Sequence, residues 1–278
     1  MIVLKPNVEE LKQNVFAEDK YYAMLRQIER VGRICYKSED RITDDSCYKF
    51  VDMLKSHAHG AMLEHGTIYL TVGPFFTIQM FDMCHYFETN PYSKYKQVVR
   101  NNTRIDVITT NYRVICEAPQ YIQDMWQDFV TEPSEDHERR RCFEFICNRG
   151  VSHEFVRHRV MSPAQESQRY CNYSKDKYGN QITFIQPIWQ NDDHDEKLVE
   201  IWKDAMSKCE STYFDLLTGG HTPQLARGVL PNDTKTDLVL TGFESDWKHF
   251  FDLRCAKDAH PEAQYLANIC KELFELGN

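Results

Sequence analysis

The stretch richest in potential chemistry is Arg157-His158-Arg159-Val160-Met161-Ser162-Pro163-Ala164-Gln165-Glu166-Ser167-Gln168-Arg169-Tyr170. Arginine presents a planar fork of donors suited to phosphate or carboxylate, and His158 has a side chain able to carry a proton near neutral pH. If the second half is extended, period-two geometry puts Gln165, Ser167 and Arg169 on one face. An amide, a hydroxyl and a guanidinium together would cradle a phosphorylated nucleoside. If the first half is helical, Arg157 and Arg159 diverge by roughly 200° at about 100° per residue. Such a segment would contact two ligands, or two sites across a subunit interface. The bland alternative is a solvated basic helix end.

The order of residues decides between them. Arg-His-Arg, seven residues, Ser167, then x-Arg-Tyr resembles the signature of the flavin-dependent thymidylate synthases. The resemblance implies methylation of dUMP to dTMP with 5,10-methylenetetrahydrofolate as carbon donor, NADPH as reductant and FAD as cofactor. FAD would be reduced by NADPH, take part in moving the folate carbon and later supply a hydride. It also implies a homotetramer whose active sites are shared between subunits.

Two further stretches carry the same resemblance. His57-Ala58-His59-Gly60-Ala61-Met62-Leu63-Glu64-His65 offers a metal reading through His57, His59, Glu64 and His65, but its spacing matches no common zinc site. It also reads as a turn between helix and strand. It resembles the family segment lying along the flavin, which puts His59 near the ring and lets Glu64-His65 open a strand over Thr67 to Val72. Ala226-Arg227-Gly228-Val229-Leu230-Pro231 is similar to the family segment whose arginine, here Arg227, reaches the nucleotide. The spacing from Leu230 onward then places Arg254 against the uracil ring, where a cation would stabilise charge developing on the ring; Arg254 is the catalytic candidate. His249 and Ser245 fall at flavin-contacting positions, and Phe243 stands where short relatives carry a polar or basic group.

The resemblance thus assigns His59, Arg157, His158, Arg159, Gln165, Ser245 and His249 to the cofactor, its phosphates neutralised by the Arg-His-Arg corner. It assigns Glu154, Arg157, Gln165, Glu166, Ser167, Gln168, Arg169, Arg227 and Arg254 to substrate. Glu154 stands where many relatives have Gln; it either pairs with an arginine or takes a nucleotide hydroxyl. Ser167 has no evident His-Asp relay and is read as a binding group. No metal is expected.

Around these motifs the pattern predicts helices over 18–34, 43–56, 75–86, 120–129 and 196–217, and a last helix starting at His260-Pro261. Strands are expected at Ile2–Leu4, Ile105–Ile108, Cys142–Cys147 and Ile182–Ile185. Thr109 to Asn111 read as a hairpin turn into Tyr112–Cys116. Glu132 to Arg141 read as an exposed connection, and Asn148-Arg149-Gly150 as a turn into a helix running from Val151 to Val160. The expected fold is α+β, a mixed or antiparallel sheet flanked by helices, in a single domain spanning 1–278 with an insertion at about 74–140.

Whole-chain properties narrow the alternatives. A net charge of −9 disfavours a general nucleic-acid binder. No apolar run approaches the ~20 residues of a membrane span, and the N-terminus lacks a secretory pattern. The ten cysteines are scattered without a Cys-x-x-Cys pair, which suits a reduced cytoplasmic setting, or a host cytoplasm for a viral protein. There is no Gly-x-Gly-x-x-Gly and no P-loop. The rival readings are a non-catalytic nucleotide or nucleic-acid binding protein using Arg157, Arg159 and Arg169, and a metal-dependent hydrolase built on His57, His59 and His65.

Overall fold

The computed structural model describes residues 1–73, 77–168, 173–174, 179–190 and 195–277. The chain opens with strands β1 (Ile2–Leu4) and β2 (Asn7–Glu10). Helices α1 (Lys20–Tyr36), α2 (Ser46–Ser56) and the short α3 (Gly60–Leu63) lead into β3 (Thr67–Val72). Next come α4 (Ile78–Thr89), β4 (Lys94–Arg100), β5 (Thr103–Asn111), α5 (Tyr112–Glu117) and α6 (Gln120–Met125). Then follow β6 (Arg140–Asn148), α7 (Arg149–Phe155), β7 (Ser162–Gln165) and β8 (Thr183–Ile185). Helices α8 (Glu196–Thr218) and α9 (Pro223–Ala226), strand β9 (Lys235–Phe243), and helices α10 (Glu244–Arg254) and α11 (Pro261–Leu276) complete it.

The expected α+β architecture is present. A four-stranded sheet has the order β2-β6-β9-β7, a three-stranded sheet the order β3-β5-β4, and β1 pairs β8. Both larger sheets are antiparallel; β1 and β8 are parallel. Strand β9 is the centre. It pairs β6 from Arg140↔Phe243 to Asn148↔Lys235 and β7 from Ser162↔Thr241 to Gln165↔Leu238. Every residue of β9 after Lys235 is buried. Leu238 and Leu240 face a core with Phe143, Phe145, Trp247 and Phe250, while Val239 faces Val31 and Ile34 of α1. With both faces covered, the strand shows no polar alternation.

Helix α1 buries two sides. Met24, Leu25 and Ile28 enter the core shared with α2, β3 and β5, and Val31, Ile34 and Cys35 pack on the central sheet. Asp19 caps its start by accepting from the Tyr22 amide at 2.8 Å. It ends at Lys37, a left-handed residue with φ 49°. Gly66 lets β3 approach this helix: a Cβ there would lie 2.7 Å from Ile28 and Met24. A fourth cluster, with Ile182, Phe184, Met206, Tyr213 and Ala226, holds α9 against α8.

Several expectations need correction. Thr109 to Asn111 continue β5, and the hairpin turn is Asn101-Asn102, with φ 51° and 59°. Two consecutive left-handed residues between paired strands are what a type I′ turn requires, and asparagine tolerates that conformation. Tyr112 onward is helix because the Asn111 side chain caps it, accepting from the Val114 amide at 3.2 Å. The segment 132–141 is not wholly exposed: His137 and Arg141 are buried and β6 begins at Arg140. Helix α7 starts at Arg149, capped by Asn148 at 2.8 Å from the Val151 amide, and stops at Phe155. It does not run into the signature, because Ser162 must already pair with Thr241. Arg157 and Arg159 therefore do not diverge as helical neighbours. The helix expected over 75–86 begins at Ile78 and ends at Thr89, and His260 is the residue preceding α11. Strands β2, β4 and β9 were not anticipated. Among the described residues, no helix is long and apolar enough to cross a membrane, and the nine described cysteines are free.

Candidate functional site

Three distant segments meet around a cavity of about 340 Å³. The end of α1 supplies Cys35 and Tyr36, the turn into α3 supplies His59 to Met62, and the signature supplies Gln165 and Ser167. His59 follows Ala58, a left-handed residue with φ 54°, and its backbone N–H donates to Leu54 O at 2.9 Å. This wraps the chain around the end of α2. The Nδ1 of His59 lies 2.7 Å from the Tyr36 hydroxyl, with the two rings stacked. Arg113, from α5, covers the outside of this wall. It donates to Glu64 Oε1 and to Glu117 Oε1, each at 2.7 Å, and a Cβ on Gly60 would lie 3.3 Å from its Nε.

The signature strand ends at Gln165, yet Gln165 and Ser167 reach the same cavity, as the extended reading expected. Gln165 Nε2 donates to Ser152 Oγ at 2.8 Å and to Thr236 Oγ1 at 3.3 Å. Glu166 faces the other way. It is 3% exposed and sits in a buried ion cluster, 3.3 Å from Lys235 Nζ and 3.7 Å from Lys37 Nζ. Asp237 closes the cluster through contacts to both lysines, and its carbonyl accepts the Glu166 amide at 2.8 Å. Burial and the neighbouring Lys37 ammonium pull Lys235 down from the usual lysine range, against Glu166. Glu166 is thus held in ion pairs that tie the cavity wall to α1 and β9. Gln168 is buried, and its Nε2 has no partner among the described residues. Arg169 lies outside the described residues.

One turn of α7 from Gln165's partner stands a group that sequence reasoning missed. Ser152 Oγ donates to Arg149 O at 2.9 Å. Burial and then the positive charge of Arg227 pull Arg149 below the ordinary arginine range. Neither arginine makes a salt bridge among the described residues, and the Arg149 guanidinium has His153 Nε2 at 3.4 Å. Arg149 was hidden in what reads as a turn; its only sequence signal is its place just before the signature helix.

The remaining motif residues form a separate corner. Arg254 Nε donates to His158 Nε2 at 2.9 Å, Nη1 to Glu154 Oε2 at 2.8 Å, and Nη2 to Glu154 O at 2.6 Å. Of the five N–H groups of a guanidinium, two stay available. Glu154 thus takes the arginine-pairing role of its two expected ones, and Arg157 lies 3.4 Å from its other oxygen. Burial, then Arg254, then His249 push His158 down to about 4. The imidazole is neutral at pH 7 and accepts from Arg254. Arg157 and Arg159, on either side of it, are exposed. His249 stacks edge-on to His158 at 6.1 Å, while Ser245 is exposed one turn earlier on α10, its amide donating to Glu138 Oε1 at 3.1 Å. Within the described residues, no group of His, Cys, Asp or Glu is arranged to hold a metal ion.

Comparison with known proteins follows the same motifs. The family described as thymidylate synthase complementing protein matches residues 96–276. A flavin-dependent thymidylate synthase of Geobacter sulfurreducens is 34% identical over 120 residues, 43% of this chain and 49% of that protein. Those of Pyrococcus furiosus and Mycolicibacterium vanbaalenii are 34% and 32% identical, over 44% of this chain and 48% and 52% of theirs. The match spans about half the length of these relatives. A crystal structure of a UMP/dUMP methylase from Streptomyces cacaoi bound with 5-Br dUMP aligns over 99% of this chain and 93% of that one, with 15% identity and a TM-score of 0.46. With its family match covering most of the chain, including the signature, Arg227 and Arg254, this protein belongs to the thymidylate synthase complementing protein family.

Proposed function

We propose that this protein converts dUMP to dTMP, taking the carbon from 5,10-methylenetetrahydrofolate and the reducing equivalents from NADPH, with FAD as bound cofactor. The matched relatives are named flavin-dependent thymidylate synthases. The observation that carries the reading is the cavity that gathers His59, Gln165 and Ser167 from distant segments, with Gln165 tied through Ser152 to the Arg149 backbone and the charge of Arg227 felt at Arg149. A nucleoside monophosphate has matching parts. The arginine pair takes the phosphate dianion, and the amide and hydroxyl take the sugar and ring edges.

The methylene carbon must gain two electrons to become a methyl group, and the uracil C5 hydrogen must leave as a proton. The overall change is dUMP, methylenetetrahydrofolate, NADPH and a proton giving dTMP, tetrahydrofolate and NADP⁺. The residues present fit FAD: Arg157 and Arg159 offer exposed cations to a diphosphate, His59 and Tyr36 offer stacked rings, and the buried Gln168 amide has a donor without a partner among the described residues. When bound, FAD supplies the two-electron chemistry between reductant and transferred carbon. Arg254 directs its two remaining N–H groups at the N3/O4 edge of uracil and stabilises negative charge there. Ser245 and His249 border the cofactor along α10.

Arg254 and the His59 cavity belong to different clusters of one chain. This division favours a homotetramer in which one subunit's arginine corner completes another's cavity. We read the chain as one domain acting in the cytoplasm, with 74–140 an elaboration whose Arg113 braces the cavity wall. The test is the visible spectrum of the protein with FAD, without oxygen, on adding NADPH and then dUMP. Flavin bands that bleach with NADPH and shift with dUMP are expected. A protein that stays colourless with added FAD overturns the reading.

A further inference from the structure

A second cavity, of about 470 Å³, lies between the chain that follows β2, the start of β3 and the connection into β6. It shares no lining residue with the cavity of His59 and Ser167. Its wall carries Lys12, Arg139, Arg140 and Arg141 against one carboxylate, Glu10. Glu10 is already shared by Arg141 and by Lys12 at 3.4 Å. Arg140 has no carboxylate partner in a salt bridge among the described residues. Its Nη1 donates to Glu64 O at 2.9 Å, and its Nε is buried without a partner among the described residues. The Glu64 carboxylate is held instead by Arg113.

His65 completes the wall. It is 1% exposed, its Nδ1 lies 2.8 Å from Thr241 Oγ1, and its Nε2 has no partner among the described residues. Burial and Arg140 push this histidine down to about 3, so the ring is neutral. The His65 Nδ1 and the Thr241 hydroxyl share one hydrogen. The cavity is lined by an excess of cations, with the Arg140 Nε–H and the His65 Nε2 buried behind its wall. Buried donors left unmade are costly, and a volume of this size is within the range of small-molecule sites.

We infer that this cavity binds a small anion bearing a phosphate or carboxylate group, held by Arg140 inside and by Arg139 and Lys12 at the exposed rim. The inference does not depend on the flavin reading. The test titrates inorganic phosphate and, separately, glutarate into the full chain by calorimetry, in the wild type and in Arg139→Ala, Arg140→Gln and Lys203→Ala variants. At least one probe should bind saturably; phosphate alone or glutarate alone identifies which group the site takes. Affinity should fall severalfold in Arg139→Ala, at least tenfold in Arg140→Gln, and stay unchanged in Lys203→Ala, an exposed position on α8. Arg139 is exposed, so its variant keeps the test valid if Arg140→Gln does not fold. No saturable binding of either probe, or binding kept unchanged in Arg139→Ala and Arg140→Gln, would overturn the inference.

Discussion

Replacing Arg254 by alanine separates what its guanidinium does for the fold from what it does for the reaction. Three of its N–H groups are committed to His158 and Glu154, and its side chain is 14% exposed. The variant leaves Glu154, 25% exposed, with only the distant edge of Arg157. Charge-assisted hydrogen bonds contribute about 1.5–3 kcal/mol each in partly buried settings, but water can reach Glu154, so a net loss of roughly 2 kcal/mol is expected. For a chain of this size that is a fall in Tm of ~3–4 °C. His158 loses the second cause of its depression, so its pKa should rise from about 4, readable by NMR titration. Turnover should fall by about 10²–10³, the usual effect of removing one charge-stabilising donor, while FAD stays bound. Adding Glu154→Gln removes the unpaired carboxylate and should restore stability without restoring turnover. A double variant that recovers both would refute the reasoning, because the arginine would then be structural only. Turnover near wild type in Arg254→Ala would refute it equally.

Acid should destabilise the native state. His65 and His158 are held neutral at about 3 and about 4, so the unfolded chain binds protons that the native chain does not. Their contribution is complete above the unfolded value near 6.5 and is lost as pH falls toward 4; at pH 5 each has lost about 2 kcal/mol. Urea midpoints at pH 7 and pH 5 measure this, and equal midpoints would contradict it. Ser167→Ala should weaken dUMP binding about fivefold, the worth of one hydrogen bond, with little change in kcat; a covalent nucleotide trapped on Ser167 would show a different role. At the β4–β5 turn, Asn102 has φ 59°, so Asn102→Gly should raise stability by about 0.5 kcal/mol and Asn102→Val should lower it by more than 1 kcal/mol. Thermal melts of both variants check the opposite signs.

The sequence was most legible where one face of an element is apolar and a cap marks its end. The limits expected for β3 coincide with those observed, and α8 was expected to end at Leu217, one residue before its last helical residue. Strand β9 was illegible because both faces are buried, which removes the alternation that betrays a strand. Strand β4 was hidden for the opposite reason: its Lys, Gln and Arg side chains edge a sheet facing water and read as loop. In the site, the motif identified residues better than it identified their partners. Gln165 and Ser167 reach one cavity, but Glu166 between them faces a buried ion cluster whose lysines come from positions 37 and 235. Arg149 and Arg113 gain their places only through tertiary contact, with the backbone of Asn232 and Thr234 and with Glu64.

The central claim is the transfer of a carbon to uracil C5, and the most direct measurement follows that carbon. The full chain with FAD, NADPH, dUMP and 5,10-methylenetetrahydrofolate labelled at the methylene carbon should form labelled dTMP, one per NADPH oxidised, with tetrahydrofolate as the folate product. Flavin that is reduced and dUMP that is bound, with no label appearing in dTMP, would contradict the account.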